Sequence, residues 1–206
     1  MAGAGKRALL IVDVQNGFCA DGNLPVPGGD AVVPEINRLM AEGGYDLVVA
    51  SQDWHPPDHK SFASQHPGKQ AFDMGSLGGK PQVMWPDHCV QDTRDAELHP
   101  DLETERIHLI QRKGEDSEVD SYSAFRDNHA ERTTGLHRAL IEHGIDELDI
   151  CGLATDYCVK FSALDAVALL PGVTVRVIEN ASRGITPEGV AAALAELRQA
   201  GVDVVT

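Results

Sequence analysis

Ala8-Leu9-Leu10-Ile11-Val12-Asp13-Val14 is the stretch from which the fold is read. Its first five residues are apolar without alternation, so both faces of a strand from Ala8 to Val14 would be buried, as in the middle of a parallel sheet. The run is too short for a membrane span, and Asp13 follows it at once, which excludes a signal peptide. Working outward, Val32, Val33, Ile36, Leu39 and Met40 recur at helical spacing, with Pro34 tolerated in the first turn and Gly43-Gly44 closing the helix. Further strands are expected over Asp46 to Asp53, Ile107 to Arg112, Leu148 to Gly152, Val173 to Ile178 and Val202 to Val205. Helices are expected around Leu136, Leu140 and His143, from Asp156 to Leu170, and from Pro187 to Ala200. The one beginning near Asp156 is apolar almost all round and is expected to be well buried. This alternation predicts an α/β fold of Rossmann-like, three-layer α/β/α type, with helices on both faces of a mainly parallel six-stranded sheet.

The chain has 206 residues, with 17 Lys plus Arg against 32 Asp plus Glu, a formal charge of −15. Hydrophobic residues make up 42%, enough for a real core, and the length suits a single domain spanning 1–206. The acidic balance argues against nucleic acid and anionic membrane surfaces as partners, since both would repel the chain at long range. Four cysteines occur without any Cys-x-x-Cys pair, so reduced thiols and a cytoplasmic location are expected. One stretch breaks the rhythm. Between Trp54 and about Arg106 there is little periodicity, yet six of the eleven prolines and six of the nine histidines fall between Trp54 and His108. An irregular insertion of this length (about 54–106) is usually functional, and its histidines point to a metal and substrate site.

In open parallel sheets, ligands bind beyond the carboxyl ends of the strands. Those ends bring together Asp13, Asp53 with His55, Lys113, and the run Gly152-Leu153-Ala154-Thr155-Asp156-Tyr157-Cys158. Cys158 would sit just inside a helix start, with Thr155 or Asp156 as N-cap, where unpaired N–H groups and the helix dipole favour a thiolate. The same donors could hold an oxyanion. Taken alone, the position suits a small buried hydrophobe equally well. Asp13 alone would read as a loop-capping carboxylate and Lys113 as a solvated cation. Together they supply a nucleophile, a base and compensating charge.

Asp53-Trp54-His55 is a second constellation, because residues two apart on an extended chain point the same way and can share a metal ion. His59 and His88 are candidates for further ligands; Cys89 could be one, or a buried thiol. Oxygen and nitrogen ligands suit one divalent ion, zinc, iron or manganese, and spacing does not choose among them. Phe18, Trp85 and Tyr122 could line an apolar pocket. The acidic run Glu115, Asp116, Glu118 and Asp120 is expected to be a solvated loop. No three-glycine dinucleotide fingerprint, P-loop or zinc-deaminase signature is present.

These blocks, in order, resemble the nicotinamidases of the isochorismatase-like cysteine hydrolase superfamily. The resemblance is carried by Asp13-Val14-Gln15-Asn16-Gly17-Phe18, Asp53-Trp54-His55-Pro56 with Asp58-His59, Trp85-Pro86-Asp87-His88-Cys89, Lys113-Gly114, and Gly152 to Val159. It spans nearly the whole chain, and the last block is the most specific. Gly17 stands where members often carry Asp.

The resemblance implies a triad of Cys158 as nucleophile, Asp13 as general base and Lys113 as its charged partner. It implies a metal held by Asp53, His55 and His88, with His59 as a fourth ligand in some relatives and zinc as the first choice of ion. It also implies a cis peptide before Ala154 and an oxyanion hole from the N–H groups of Ala154 and Cys158. The activity implied is deamidation of nicotinamide to nicotinate and ammonia through a thioester, as in NAD salvage, with pyrazinamide also accepted. The partner implied is this small molecule, and a homo-oligomer is compatible. The competing reading is a superfamily amidohydrolase acting on a carbamoyl or ureido compound. More distant alternatives are a metallohydrolase with a structural Cys158 and a thiol-based sensor.

Overall fold

The computed structural model describes residues 5–206. In chain order it contains β1 (Lys6–Val12), α1 (Val33–Glu42), β2 (Leu47–Asp53), β3 (Met74–Leu77), β4 (Lys80–Val83), β5 (Leu109–Lys113), α2 (Leu136–Glu142), β6 (Ile145–Leu153), α3 (Lys160–Leu169), β7 (Thr174–Arg183), α4 (Pro187–Gln199) and β8 (Asp203–Val205). The six long-range strands form one sheet in the order β5-β2-β1-β6-β7-β8, and every neighbouring pair is parallel. The expected three-layer α/β/α fold is observed.

β1 shows why the layers form. Ala8, Leu10 and Val12 face a core closed by α2, α3 and α4, whereas Leu9 and Ile11 face a second core closed by α1 and parts of the insertion. Successive side chains point to opposite faces of a strand, so an unbroken apolar run needs cover on both. Chain order reverses between β1 and β6, which makes their carboxyl ends the switch point where such sheets bind ligands.

Several boundaries differ from expectation for physical reasons. β6 starts at Ile145 and passes through Glu147 and Asp149, charges that hide a strand in a linear reading. Their cost is offset across the sheet: Arg7 Nη2 and Arg176 Nε lie 2.8 and 2.6 Å from the Asp149 carboxylate, and the Tyr45 hydroxyl donates to it at 2.8 Å. β7 likewise continues through Glu179 and Asn180 to Arg183. The expected Asp156 helix is a π-helical turn (Thr155–Val159) followed by α3. It is less buried than its composition suggests, since Val167 is exposed and Phe161 and Leu164 are only half-buried.

The insertion is mostly turns, with one hairpin of its own, β3 with β4. Its two-residue turn is Gly78-Gly79, at φ +56° and +79°, the left-handed geometry that glycine supplies without a Cβ clash. No helix among the described residues is long and apolar enough to cross a membrane.

Candidate active site

Four strand ends supply the site. Asp13 follows β1 with φ +49°, a left-handed conformation uncommon outside glycine and tolerated best by Asp and Asn. Its carboxylate accepts a hydrogen bond from Ser51 Oγ at 2.6 Å. Asp53 and Lys113 end β2 and β5 as register partners. Where β6 ends beside β1, Gly152 is required: a Cβ there would lie 2.2 Å from the Val12 carbonyl oxygen. The Leu153–Ala154 peptide that follows is cis, and the next turn carries Cys158.

Lys113 is buried at the centre of this cluster. Its Nζ lies 2.6 Å from Asp53 Oδ1, 2.9 Å from Asp13 Oδ2 and 3.6 Å from Cys158 Sγ, and it donates to the Ser121 carbonyl at 2.9 Å. Oxygens of Asp13 and Asp53 and the Cys158 sulfur all lie within 4.8 Å of one another. The triad expected from sequence is therefore brought together, though its electrostatics differ from expectation. Burial pushes Asp13 up to about 6, with Lys113 pulling down and Asp53 adding to the rise. Lys113 does pull Asp13 down, but desolvation outweighs the ion pair. Burial also raises the Cys158 thiol well above its ordinary range; Lys113 opposes this, and the Asp13 and Asp53 carboxylates reinforce it. The resting sulfur thus keeps its proton, and the helix start does not prevail. Neither Thr155 nor Asp156 caps the turn by its side chain; Ala154 holds the N-cap position.

Asp53, His55 and His88 place ligand atoms within 4.8 Å of one another. The His55 ring is fixed by Nδ1 donating to the Gly114 carbonyl at 2.8 Å, and the His88 ring by Nδ1 donating to the Pro86 carbonyl at 2.7 Å. A carbonyl can only accept, so each Nδ1 carries a proton and Nε2 is the nitrogen left to ligate. At His55 burial lowers the ring's pKa, but the Asp53 carboxylate, 3.7 Å from Nε2, raises it overall, so a cation binding there would displace a proton. Gly114 allows this packing, since a Cβ there would stand 2.4 Å from His55 Cε1. Asp53 is held below the usual carboxylate range because Lys113 and His55 together outweigh the effect of its burial. Burial, helped by His55, lowers His88 to about 4, so it is neutral as a ligand must be. One carboxylate and two neutral-capable imidazoles, aimed inward and fixed from behind, fit a divalent cation.

His59 differs. Its Nδ1 lies 2.7 Å from Ser61 Oγ and accepts the Ser61 N–H at 3.2 Å, while its buried Nε2 has no partner. A backbone N–H donating to Nδ1 puts the ring proton on Nε2. Asp120 approaches from the other side, its carboxylate within 4.8 Å of ring nitrogens of His55 and His59. Asp120 is buried and accepts from Gln82 Nε2 at 2.8 Å, so the expectation of a solvated acidic run fails at this residue. Cys89 is also buried, but it belongs to a turn in which its N–H donates to Asp95 Oδ2 at 2.6 Å. The same Asp95 carboxylate fills the space beside Gly17.

Of these groups, Asp53, His88, Asp120 and Cys158 line one cavity, whose empty space together with its open mouth is about 400 Å³. Phe18, Trp85 and Tyr122 line it, as the sequence suggested, with Cys158, Ala154, Asp53 and His88 on its polar side. Leu24, Val26, Tyr157, Ile185 and Asp120 also line it and were missed. The aromatic frame is braced edge to face, Trp85 with Tyr157 at 5.0 Å and Tyr122 with Tyr157 at 5.5 Å, and Trp85 Nε1 donates to Tyr122 Oη at 3.2 Å. Behind the Phe18 wall, Cys19, Asp30 and His99 also bring potential ligand atoms together. There the Asp101 N–H donates to His99 Nδ1 at 3.2 Å, leaving Nε2 as donor to Asp30, so the trio reads as a hydrogen-bonded prop.

Comparison with known proteins gives a consistent result. Residues 7–206 match the isochorismatase domain model. The nicotinamidase of Escherichia coli is 50% identical over 204 residues, covering 97% of this chain and 94% of that protein. The solved nicotinamidase/pyrazinamidase of Acinetobacter baumanii superposes with a TM-score of 0.93 at 45% identity, covering 99% and 97% of the two chains. The pyrazinamidase of Pyrococcus horikoshii, solved in complex with zinc, superposes with a TM-score of 0.78 at 37% identity over 98% and 99%. With the sheet order, the strand-end cluster and this coverage in agreement, the chain belongs to the isochorismatase family.

Proposed function

We propose that this protein hydrolyses nicotinamide to nicotinate and ammonia through a Cys158 thioester. The observation that carries the reading is that Cys158, clustered with Asp13 and Lys113, lines the same cavity as Asp53 and His88, which with His55 bring potential metal-ligand atoms together. A flat heteroaromatic amide suits the aromatic frame, which favours it over a carbamoyl or ureido compound, and pyrazinamide fits for the same reason. Residues 1–206 act in this reading as one catalytic domain on a small molecule in the cytoplasm, where the four unpaired thiols stay reduced.

Phe18, Trp85 and Tyr122 hold the ring, which makes attack on the carboxamide effectively intramolecular. Asp53, His55 and His88 would hold a divalent cation, zinc by analogy with the Pyrococcus relative, which when bound would supply Lewis acidity toward the ring nitrogen. Because the thiol is raised and Asp13 sits near 6, a free thiolate–carboxylic acid pair is uphill at rest. Asp13 therefore takes the Cys158 proton as sulfur attacks the carbonyl carbon, and Lys113 balances the negative charge throughout. The N–H groups of Ala154 and Cys158 stabilise the tetrahedral oxyanion. Collapse breaks the C–N bond, Asp13 returns the proton to the leaving nitrogen, and ammonia departs. Asp13 then takes a proton from water as its oxygen attacks the thioester, and that proton returns to the sulfur as nicotinate leaves.

The test is ammonia release from nicotinamide beside an aliphatic amide, with and without chelator. Release is expected from nicotinamide in the metal-loaded protein, with loss on chelation. No release from nicotinamide overturns the substrate assignment.

A further inference from the structure

Asp156 is absent from the chemistry above, yet it lies two residues before Cys158 with its carboxylate buried. Both of its oxygens accept the Ile185 N–H, at 3.0 and 3.2 Å, and one accepts the Thr186 N–H at 3.3 Å. Thr186 in turn caps α4, its hydroxyl accepting the Gly189 N–H at 3.0 Å. The surroundings are shaped to the carboxylate. A Cβ on Gly184 would stand 2.9 Å from Asp156 Oδ1, and one on Gly189 would stand 2.5 Å from Oδ2. Neither glycine has a positive φ, so here glycine provides room for the carboxylate and is not required by the backbone.

Ile185, held at its backbone by this carboxylate, lines the same cavity as Cys158. One side chain thus ties the turn that carries the sulfur to the apolar wall formed by the β7–α4 connection. We infer that Asp156 is a positioning residue: its three hydrogen bonds to the 185–186 backbone fix Ile185 relative to Cys158 and thereby set the width of the slot that receives the substrate ring. The inference rests on the amidase reading above. An amide in place of the carboxylate would turn its NH2 toward backbone N–H donors and lose at least one bond. Ile185 would then be free to move while Asp13, Lys113 and Cys158 keep their contacts.

The experiment compares wild type, Asp156→Asn, Ile185→Ala and the double variant. Steady-state kinetics are run on nicotinamide, or on whichever amide the wild type hydrolyses, together with metal content. That wild-type control isolates failure of the substrate assignment from failure of this inference. The expected result is a KM raised about tenfold in Asp156→Asn with kcat within about threefold. Ile185→Ala should raise KM similarly, the double variant should be no worse than Ile185→Ala alone, and metal content should be unchanged. If Asp156→Asn does not fold, Gly189→Ala crowds Oδ2 and should give the same KM-selective change. An unchanged KM, a fall confined to kcat, or additive effects of Asp156 and Ile185 would overturn the inference. The first would mean that Asp156 only braces the backbone before the Thr186 cap of α4, the second that it acts through the Cys158 turn.

Discussion

Lys113 and Asp53 face each other as register partners at the ends of adjacent strands, the ammonium of one 2.6 Å from the carboxylate of the other. The same ammonium reaches Asp13 at 2.9 Å. One buried cation therefore serves two carboxylates, one assigned to proton transfer and the other to metal binding. Their net charge is negative, and a divalent ion would be attracted to it.

Removing that cation has a definite consequence. Lys113→Ala leaves two carboxylates buried without their partner, a change that typically costs about 3–5 kcal/mol. A large fall in urea midpoint and loss of turnover are expected together. An unfolding midpoint equal to that of wild type would show that the cluster is more hydrated than its burial indicates.

Cys158→Ala removes the proposed nucleophile but no proposed metal ligand. Turnover should vanish while metal content, measured by elemental analysis of dialysed protein, stays at the wild-type ratio. In wild type, rapid quench with nicotinamide should give an acylated protein whose added mass maps to the Cys158 peptide. Appreciable ammonia release by the alanine variant would exclude the covalent route in favour of attack by metal-activated water.

Asp13 must be ionised to accept the thiol proton, and burial raises it to about 6. The active form is present above that value and is lost as pH falls through it. The acid limb of kcat/KM should accordingly lie near pH 6, about two units above that of an ordinary aspartate, and fall tenfold per pH unit below it. An acid limb near pH 4 would mean that bound metal or water cancels the desolvation of Asp13.

Much of this site could be read from the chain because strand ends are easy to recognise. Asp13, Asp53 and Lys113 each close an apolar or β-branched run, and parallel topology alone brings them to one edge. Burial could not be read in that way. Asp120 sits in a run of acidic residues identical in composition to solvated loops, and only the tertiary fold places it against His55 and His59. The direction of the Cys158 shift is hidden for the same reason: local helix geometry is visible in sequence, whereas desolvation depends on everything packed around the group. Ile185 and Leu24 carry no local mark, because an apolar residue beside a loop looks alike whether it lines a cavity or a core.

The three histidines near Asp53 should not contribute equally to metal binding. His55 and His88 each donate Nδ1–H to a carbonyl, which leaves Nε2 free to ligate. His59 accepts a backbone N–H at Nδ1, so its Nε2 must lose a proton or its ring must turn before it can ligate. The analogous loss of an outer-shell partner usually costs about 10–100-fold in metal affinity, whereas losing a direct ligand costs more. His55→Ala and His88→Ala should therefore lose metal on dialysis, while His59→Ala should retain it with affinity weakened by no more than about 100-fold. Competitive titration with a chromophoric chelator measures all three on one scale. Equal loss in the three variants would mean that His59 reorients on binding and completes the shell as a fourth ligand. Loss confined to His55→Ala and His88→Ala would leave His59 as a hydrogen-bond donor beside the ion, with Asp120 as the nearby carboxylate.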